Sequence, residues 1–236
     1  MPTVRALPYD APVRTIAYCT PKNADAKAAE WLARARGSVA PRPHLALDPA
    51  KAALLVVDML VYFAAPEGRC FLPASVPATE RIREILEAWR AIGGPVVFTR
   101  HAHEGPGDLG MLGRFFSDHI RAGEADAEII ESLAPAPGEV VFRKTTYDAF
   151  LGTPLEGALR DRGATQVVVT GVLTHMCVET TARAAFCRGF EVYVPVDAIA
   201  STSEERHVGS LLAMADAVAI PTSAEEVIAR CASRTS

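Results

Sequence analysis

The chain has 236 residues, half of them hydrophobic, and a formal net charge of −4. A chain of this size can bury a large core, while its acidic balance and its lack of a Lys/Arg cluster argue against a nucleic-acid partner. No apolar run approaches the ~20 residues that cross a bilayer and the N-terminus lacks the apolar core of a signal peptide, so we expect a cytoplasmic protein with no membrane partner.

The first 50 residues differ from the rest of the chain. They are rich in proline and alanine and contain one predicted helix, Ala24–Arg36, so residues 1–50 are interpreted as an N-terminal extension or arm. From residue 51 onward, short apolar runs alternate with amphipathic segments, a pattern typical of β–α units on a parallel sheet. Residues 51–236 are therefore predicted to form one domain.

Six strands are predicted in this domain, in runs of mostly Val and Ile that do not alternate with polar residues, as in strands covered on both faces. They are Ala53–Val57, Pro95–Thr99, Glu139–Arg143, Gln166–Thr170, Phe190–Pro195 and Ala217–Ile220. Further helices are predicted at Thr79–Ile92, Ala127–Leu133, Leu155–Arg162, His175–Arg188, Glu204–Met214 and Ala224–Cys231. The fold class is therefore α/β, a three-layer, doubly wound, Rossmann-like domain with a six-stranded, mainly parallel sheet.

Cys177 follows the fourth strand and a glycine turn at Gly171, where the next helix is predicted to begin. A thiol at a helix N-terminus lies near unpaired N–H groups and the positive end of the helix dipole, which favours its thiolate form. Taken alone, however, such a cysteine is more often a buried packing residue.

Two charged residues end strands of the same predicted sheet. Asp58 follows the first strand and Lys144 follows the third, so we expect both to lie near Cys177 at the carboxyl edge of the sheet. Each alone has an ordinary explanation, as a helix cap or as a strand end in solvent. Together they favour nucleophilic catalysis, in which Asp58 takes the thiol proton, Lys144 stabilises the charge, and backbone N–H groups of the turn bind an oxyanion.

Longer motifs around these residues occur in a known order. They are LLVVDM at 54–59 with Phe63 beyond it, FRKTTYDAF at 142–150, GVLTHMCVETTARAAFCRGFEV at 171–192 and a VDA turn at 196–198. In these motifs the chain resembles the isochorismatase-like cysteine hydrolases, a superfamily that includes isochorismatases, nicotinamidases and N-carbamoylsarcosine amidohydrolase. The resemblance covers about residues 51–221.

The resemblance implies a fold, a reaction and an assembly. It implies the catalytic triad Asp58, Lys144 and Cys177, which would hydrolyse a small amide, carbamoyl or ureido substrate through a thioester without a cofactor. It also implies a cis peptide between Val172 and Leu173, which turns the N–H groups of Leu173 and Cys177 toward the oxyanion. Finally, it implies a homodimer or homotetramer.

Two other functions remain open. One is vinyl-ether hydrolysis of the isochorismatase type, with Asp58 as general acid, although that branch usually lacks the cysteine. The other is a non-catalytic, partner-binding module that keeps the fold. No redox pair of cysteines supports a thiol oxidoreductase.

No metal site is predicted. Nicotinamidases bind a divalent metal through an Asp-x-His pair after the second strand, but this chain has Arg100 there, followed by His101 and His103. We interpret these two histidines as exposed loop residues, the alternative being that, at i and i+2, they share an ion.

Six residues are predicted to bind the substrate. Phe63, Tyr147, Phe150 and His175 lie within or beside the family-like motifs, although His175 is equally compatible with a helix cap. Arg114 and His119 lie in a long insertion, residues 101–123, where they could clamp a carboxylate beside Phe115 and Phe116. The alternative is that the FFSDHI segment of this insertion packs on the sheet.

Overall fold

A computed structural model describes residues 17–234, which form a central sheet flanked by helices. Every strand pair in the sheet is parallel. The strands are β1 (Ala52–Val57), β2 (Val96–His101), β3 (Val140–Lys144), β4 (Gln166–Val172), β5 (Glu191–Pro195), β6 (Ile199–Ala200) and β7 (Ala219–Thr222). The predicted α/β architecture with a mainly parallel sheet is confirmed, and the short β6 is an addition to the six predicted strands.

The order of the strands defines where a ligand can bind. The sheet runs β3-β2-β1-β4-β5-β7, with β6 beside β4. The chain therefore builds outward from β1 through β2 to β3 and then returns to β4 on the other side of β1. In sheets of this kind the crevice lies beyond the carboxyl ends of the strands where the order reverses, which here is between β1 and β4.

Eight α-helices connect or cover the strands within the described part of the chain. They are α1 (Ala24–Gly37), α2 (Val61–Ala64), α3 (Ser75–Ala91), α4 (Leu112–Phe115), α5 (Leu155–Arg160), α6 (Glu179–Cys187), α7 (Glu204–Ala217) and α8 (Ala224–Ala232). In α3, Ile82, Ile85, Leu86 and Trp89 are all buried, because their spacing of three and four residues puts them on one face of the helix.

The predicted helix Ala127–Leu133 is wrong. Only single 3-10 turns occur there, at Ala125–Ala127 and Glu131–Leu133. The intervening backbone pairs with the segment after β1, since the N–H of Ile130 donates to the carbonyl of Met59 at 3.0 Å and the N–H of Val61 donates to that of Glu128 at 2.8 Å. These tertiary hydrogen bonds replace the helical ones that the apolar spacing predicts.

Part of the predicted N-terminal extension packs on the domain. In α1, Trp31 is buried and its ring N–H donates to Glu204 of α7 at 2.9 Å. Arg36 donates to the backbone oxygen of Pro221 and forms an ion pair with Glu226. Residues 1–16 of the extension lie outside the described residues, and no helix within 17–234 is long and apolar enough to span a bilayer.

Candidate active site

Asp58 is the first residue beyond β1 and is completely buried. Its backbone has a positive φ of 49°, a conformation that aspartate tolerates better than most residues. The hydroxyl of Thr99, on the neighbouring β2, donates to Asp58 Oδ1 at 2.7 Å and accepts the Asp58 N–H at 3.2 Å. This pair of hydrogen bonds fixes the orientation of the carboxylate and leaves Oδ2 toward the rest of the site.

Gly171 near the end of β4 allows the strand to approach Asp58 closely. Its φ is +108°, and a Cβ atom at this position would collide with the carbonyl oxygen of Val57, the residue before Asp58. Only glycine meets both requirements without strain. The glycine that the sequence interprets as a turn is therefore a strand residue at a close backbone contact.

Lys144 is the last residue of β3, and its side chain is fully buried at the centre of the site. Its Nζ lies 2.7 Å from Asp58 Oδ2 and 3.2 Å from Cys177 Sγ. Nζ also donates to the carbonyl oxygen of Thr146 at 2.9 Å and lies 3.3 Å from Nδ1 of His101. One ammonium thus contacts the carboxylate, the thiol and an imidazole.

Cys177 lies in a π-helical turn, Thr174–Val178, that follows β4 and precedes α6. The prediction of one α-helix from His175 to Arg188 is therefore wrong in its first turn. The peptide bond between Val172 and Leu173, at the entry to this turn, is cis. Cys177 itself is 4% exposed, so its sulfur is shielded from bulk water.

Burial and charge together set the protonation of these three groups. Burial alone raises the pKa of Asp58, but the ammonium of Lys144 outweighs it and holds that pKa below its usual range. Burial alone lowers the pKa of Lys144, but Asp58 and Cys177 outweigh it and keep the ammonium charged. At neutral pH the site therefore contains a carboxylate and an ammonium ion.

Cys177 is a thiol in this environment. Burial raises its pKa to about 12, because the favourable charge of Lys144 is offset by burial and by the carboxylate of Asp58. The expectation that a helix N-terminus favours the thiolate is therefore wrong for the resting site, because desolvation outweighs the helix dipole here. The sulfur needs a base to become a nucleophile, and Asp58 has a carboxylate oxygen within 4.8 Å of it.

The two histidines after Thr99 are not exposed loop residues. His101 is the last residue of β2 and pairs in register with Lys144 of β3, and both His101 and His103 are buried. Their Nε2 atoms lie 3.1 Å apart, and Nδ1 of His103 lies 3.1 Å from the carbonyl oxygen of Asp108. The sequence interpretation missed His101, which lies two residues beyond the predicted end of its strand.

The site has donor atoms of the kind that hold metal ions. One donor atom each from Asp58, His101 and Cys177 lies within 4.8 Å of the others. However, Lys144 Nζ lies within 3.3 Å of all three side chains. These donors are therefore arranged around an ammonium ion, which takes the central position that a metal ion would need.

Three of the six predicted substrate-binding residues are partly buried. Tyr147 is half-buried, and burial and the neighbouring Cys177 raise its pKa above the usual range. His175 is half-buried and its Nδ1 lies 2.6 Å from the hydroxyl of Ser201. Phe63 is partly buried, with its ring centre 4.8 Å from that of Tyr62. Their role in binding the substrate stays a prediction.

The other three predicted substrate residues have different surroundings. Phe150 is buried, its ring centre 6.1 Å from that of Phe190, which is a core contact. His119 has its ring centre 6.3 Å from that of His103, at the edge of the histidine pair. Arg114 is exposed on the four-residue helix α4, and its proposed carboxylate clamp stays a prediction.

Known proteins resemble the chain in both sequence and structure. The family model of the isochorismatase domain matches residues 52–226. "Nicotinamidase 3" of Arabidopsis thaliana is 39% identical, over 70% of this chain and 80% of that protein. "Ureidoacrylate amidohydrolase RutB" of Methylobacterium radiotolerans is 33% identical, over 67% of this chain and 70% of that protein. The crystal structure of a cysteine hydrolase from Pseudomonas syringae superposes with a TM-score of 0.78 at 29% identity, covering 82% of this chain and 98% of that one.

Proposed function

The chain belongs to the isochorismatase family of hydrolases, and we propose that it cleaves the C–N bond of a small amide, carbamoyl or ureido compound through a thioester on Cys177. The observation that carries this proposal is the position of Lys144, whose Nζ contacts both Asp58 Oδ2 at 2.7 Å and Cys177 Sγ at 3.2 Å. A nucleophile, a base and a fixed positive charge are thereby held together out of water.

In the first half of the reaction, Cys177 attacks the substrate carbonyl carbon. The S–H bond breaks as the S–C bond forms, and Asp58 Oδ2 takes the proton. Oδ2 is suited to this role because the hydroxyl of Thr99 holds Oδ1, whereas Oδ2 is the oxygen that faces Lys144, 2.7 Å from its Nζ. The ammonium of Lys144 stabilises the negative charge that develops on sulfur.

The tetrahedral intermediate then collapses. Its oxyanion would accept hydrogen bonds from the backbone N–H groups of Leu173 and Cys177, the two donors implied by the family pattern. Asp58 returns its proton to the departing nitrogen, and the C–N bond breaks to leave a thioester. Water, deprotonated by Asp58, attacks the thioester, releases the acid and restores the thiol of Cys177.

Vinyl-ether hydrolysis fits the site less well. That reaction requires Asp58 to act as an acid and so to be protonated before substrate binds. The pKa of Asp58 lies below its usual range because the Lys144 ammonium outweighs the effect of burial, which leaves little of the acid form at neutral pH. A role as a non-catalytic module is also disfavoured, because all three groups of the trio are present and in contact.

The proposal is tested by ammonia release from a panel of primary amides and ureides, with nicotinamide and N-carbamoyl amino acids as the first probes. The unmodified protein, Cys177→Ala and Cys187→Ala are compared. Cys187 is exposed at the end of α6, so its variant is a matched control for loss of a cysteine. Release that is lost in Cys177→Ala and kept in Cys187→Ala supports the proposal, and equal release by all three proteins contradicts it.

A further inference from the structure

The ammonium group of Lys144 has more hydrogen-bond acceptors around it than it has hydrogens to donate. Four acceptors lie within 3.3 Å of Nζ, namely Asp58 Oδ2, Thr146 O, Cys177 Sγ and His101 Nδ1. An ammonium group carries only three hydrogens. At any moment one of the four acceptors must therefore lack a hydrogen bond from Lys144.

The tautomer of His101 follows from its neighbours. Lys144 can only donate, so a hydrogen bond across the 3.3 Å contact places the lone pair of His101 on Nδ1 and its hydrogen on Nε2. Burial and the nearby ammonium lower the pKa of His101 to about 4, so this imidazole is neutral. His101 is thus an uncharged acceptor with a fixed orientation.

His103 fixes that tautomer from the other side. Its Nε2 lies 3.1 Å from Nε2 of His101 and must accept the hydrogen there, which leaves the hydrogen of His103 on Nδ1. That atom lies 3.1 Å from the carbonyl oxygen of Asp108. The carboxylate of Asp108 is in turn held by Arg143 at 2.9 Å. The two histidines therefore carry opposite tautomers in one hydrogen-bonded chain.

We infer that His101 is a positioning residue that holds one hydrogen of Lys144 while Cys177 is a thiol and yields it to the sulfur when the thiolate forms. A neutral thiol is the weakest of the four acceptors, whereas a thiolate is a strong one. Of the other three, His101 is uncharged and lies farthest from Nζ at 3.3 Å, so its hydrogen bond is the one that is exchanged. The importance of this exchange in catalysis rests on the proposed function. The exchange itself requires only that the thiolate of Cys177 forms, not that a substrate is turned over.

His101 should have a measurable effect on the acidity of the Cys177 thiol. Forming the thiolate breaks the hydrogen bond from Lys144 to His101, and that loss opposes ionisation of the sulfur. A variant without an acceptor at Nδ1 loses nothing when the thiolate forms. The charged and titratable groups that face the sulfur are Asp58, Lys144, His101 and the neighbouring Tyr147, and only His101 is changed by the variants below.

The test is the pH dependence of iodoacetamide alkylation, measured by mass spectrometry of the peptide that contains Cys177. In His101→Leu the curve of rate against pH should move about one unit toward lower pH, the size expected for loss of a charge-assisted hydrogen bond. His101→Asn can place its amide oxygen where Nδ1 lies and should leave the curve within about 0.3 units of the unmodified protein. A role in packing alone would change the rate in His101→Leu and in His101→Asn alike.

Two outcomes overturn the inference. One is an unshifted curve in a folded His101→Leu protein, and the other is an equal shift in His101→Leu and His101→Asn. Should His101→Leu fail to fold, nitrogen NMR of the unmodified protein decides the matter, because His101 must carry its hydrogen on Nε2 and His103 on Nδ1. The reverse tautomers, or a stoichiometric zinc ion bound between the two rings, would contradict the exchange.

The alkylation and NMR experiments can succeed or fail independently of the proposed function. Failure of every amide and ureide to be hydrolysed would remove the proposed reaction and leave the alkylation shift and the tautomers unaffected. Conversely, a working hydrolase with an unshifted alkylation curve would keep the reaction and remove the role of His101.

Discussion

The side chains of Asp58 and Lys144 form an ion pair with 2.7 Å between Oδ2 and Nζ, and neither side chain is exposed to solvent. The residues come from strands on different sides of β2 and are 86 positions apart in the chain. Each charge depends on the other, because an isolated charge in such a place costs several kcal/mol. The pair is therefore a condition for the stability of this sheet edge as well as the centre of the candidate active site.

Removal of one charge of this pair should destabilise the protein strongly. We expect Lys144→Met to lower the free energy of unfolding by about 3–5 kcal/mol, because it leaves Asp58 buried without a partner. Urea unfolding measures the loss. The double variant Asp58→Asn, Lys144→Met should recover part of it, while Lys51→Met, at an exposed lysine, should change stability by less than about 1 kcal/mol. Additive effects of the two site substitutions would contradict the coupling.

Thr99→Val should reduce activity more than it reduces stability. The substitution removes the hydroxyl that donates to Asp58 Oδ1 at 2.7 Å and keeps the shape of the side chain. A lost hydrogen bond to a charged group corresponds to about a tenfold to hundredfold loss in kcat. Thr170→Val is the matched control, because its buried hydroxyl donates to the carbonyl of Leu55 and not to the catalytic trio. Equal losses of kcat in both variants would show that Thr99 acts through packing alone.

Gly171→Ala should destabilise the protein and impair the site together. The new Cβ would meet the carbonyl of Val57, and the φ of +108° is unfavourable for alanine. We expect a loss of more than about 2 kcal/mol in the free energy of unfolding. Gly209→Ala, within α7, has open space around the new methyl group and should instead stabilise by about 0.5–1 kcal/mol. Thermal and urea unfolding of the two variants measure this difference in sign.

Acid should destabilise the protein through two buried histidines. Burial lowers the pKa of His207 to about 3 and that of His101 to about 4, whereas unfolded histidine titrates near 6.5. The unfolded chain thus binds more protons as the pH falls below 6.5. Stability is complete above that pH and falls by about 1.4 kcal/mol per pH unit for each histidine, until the pH reaches the pKa values of the folded protein.

The two histidines can be separated by substitution. Between pH 6 and 5, His207→Asn should reduce the slope of unfolding free energy against pH by up to about 1.4 kcal/mol per pH unit. An undiminished slope in His207→Asn would exclude this histidine as a source of the pH dependence.

The parts of the fold that the sequence predicts well are those fixed by local patterns. All six residues of β1 are buried, and an unbroken apolar run predicts such a strand directly. Asp58, Lys144 and Cys177 could be grouped because each follows a parallel strand, and the geometry of a parallel sheet brings strand ends to one edge. The geometry of the sheet alone therefore predicts that these three residues lie close together, without information on how their side chains pack.

The parts that the sequence does not predict depend on long-range contacts. The sequence indicates an exposed loop residue at His101 because the apolar run of β2 ends two residues earlier, whereas the register of His101 with Lys144 is a property of the folded sheet. The sequence predicts the protonation of Cys177 from the dipole of its helix alone. Its pKa is raised instead by the depth of burial, which no local pattern records.

The central claim is that Cys177 forms a covalent acyl intermediate, and intact-mass spectrometry during turnover tests it most directly. With an amide substrate in excess and rapid acid quenching, we predict an adduct equal to the acyl group, on Cys177 in the unmodified protein. We predict the same adduct in Cys187→Ala and none in Cys177→Ala. Turnover of that amide by Cys177→Ala at the rate of the unmodified protein, without an adduct in either, would contradict the claim.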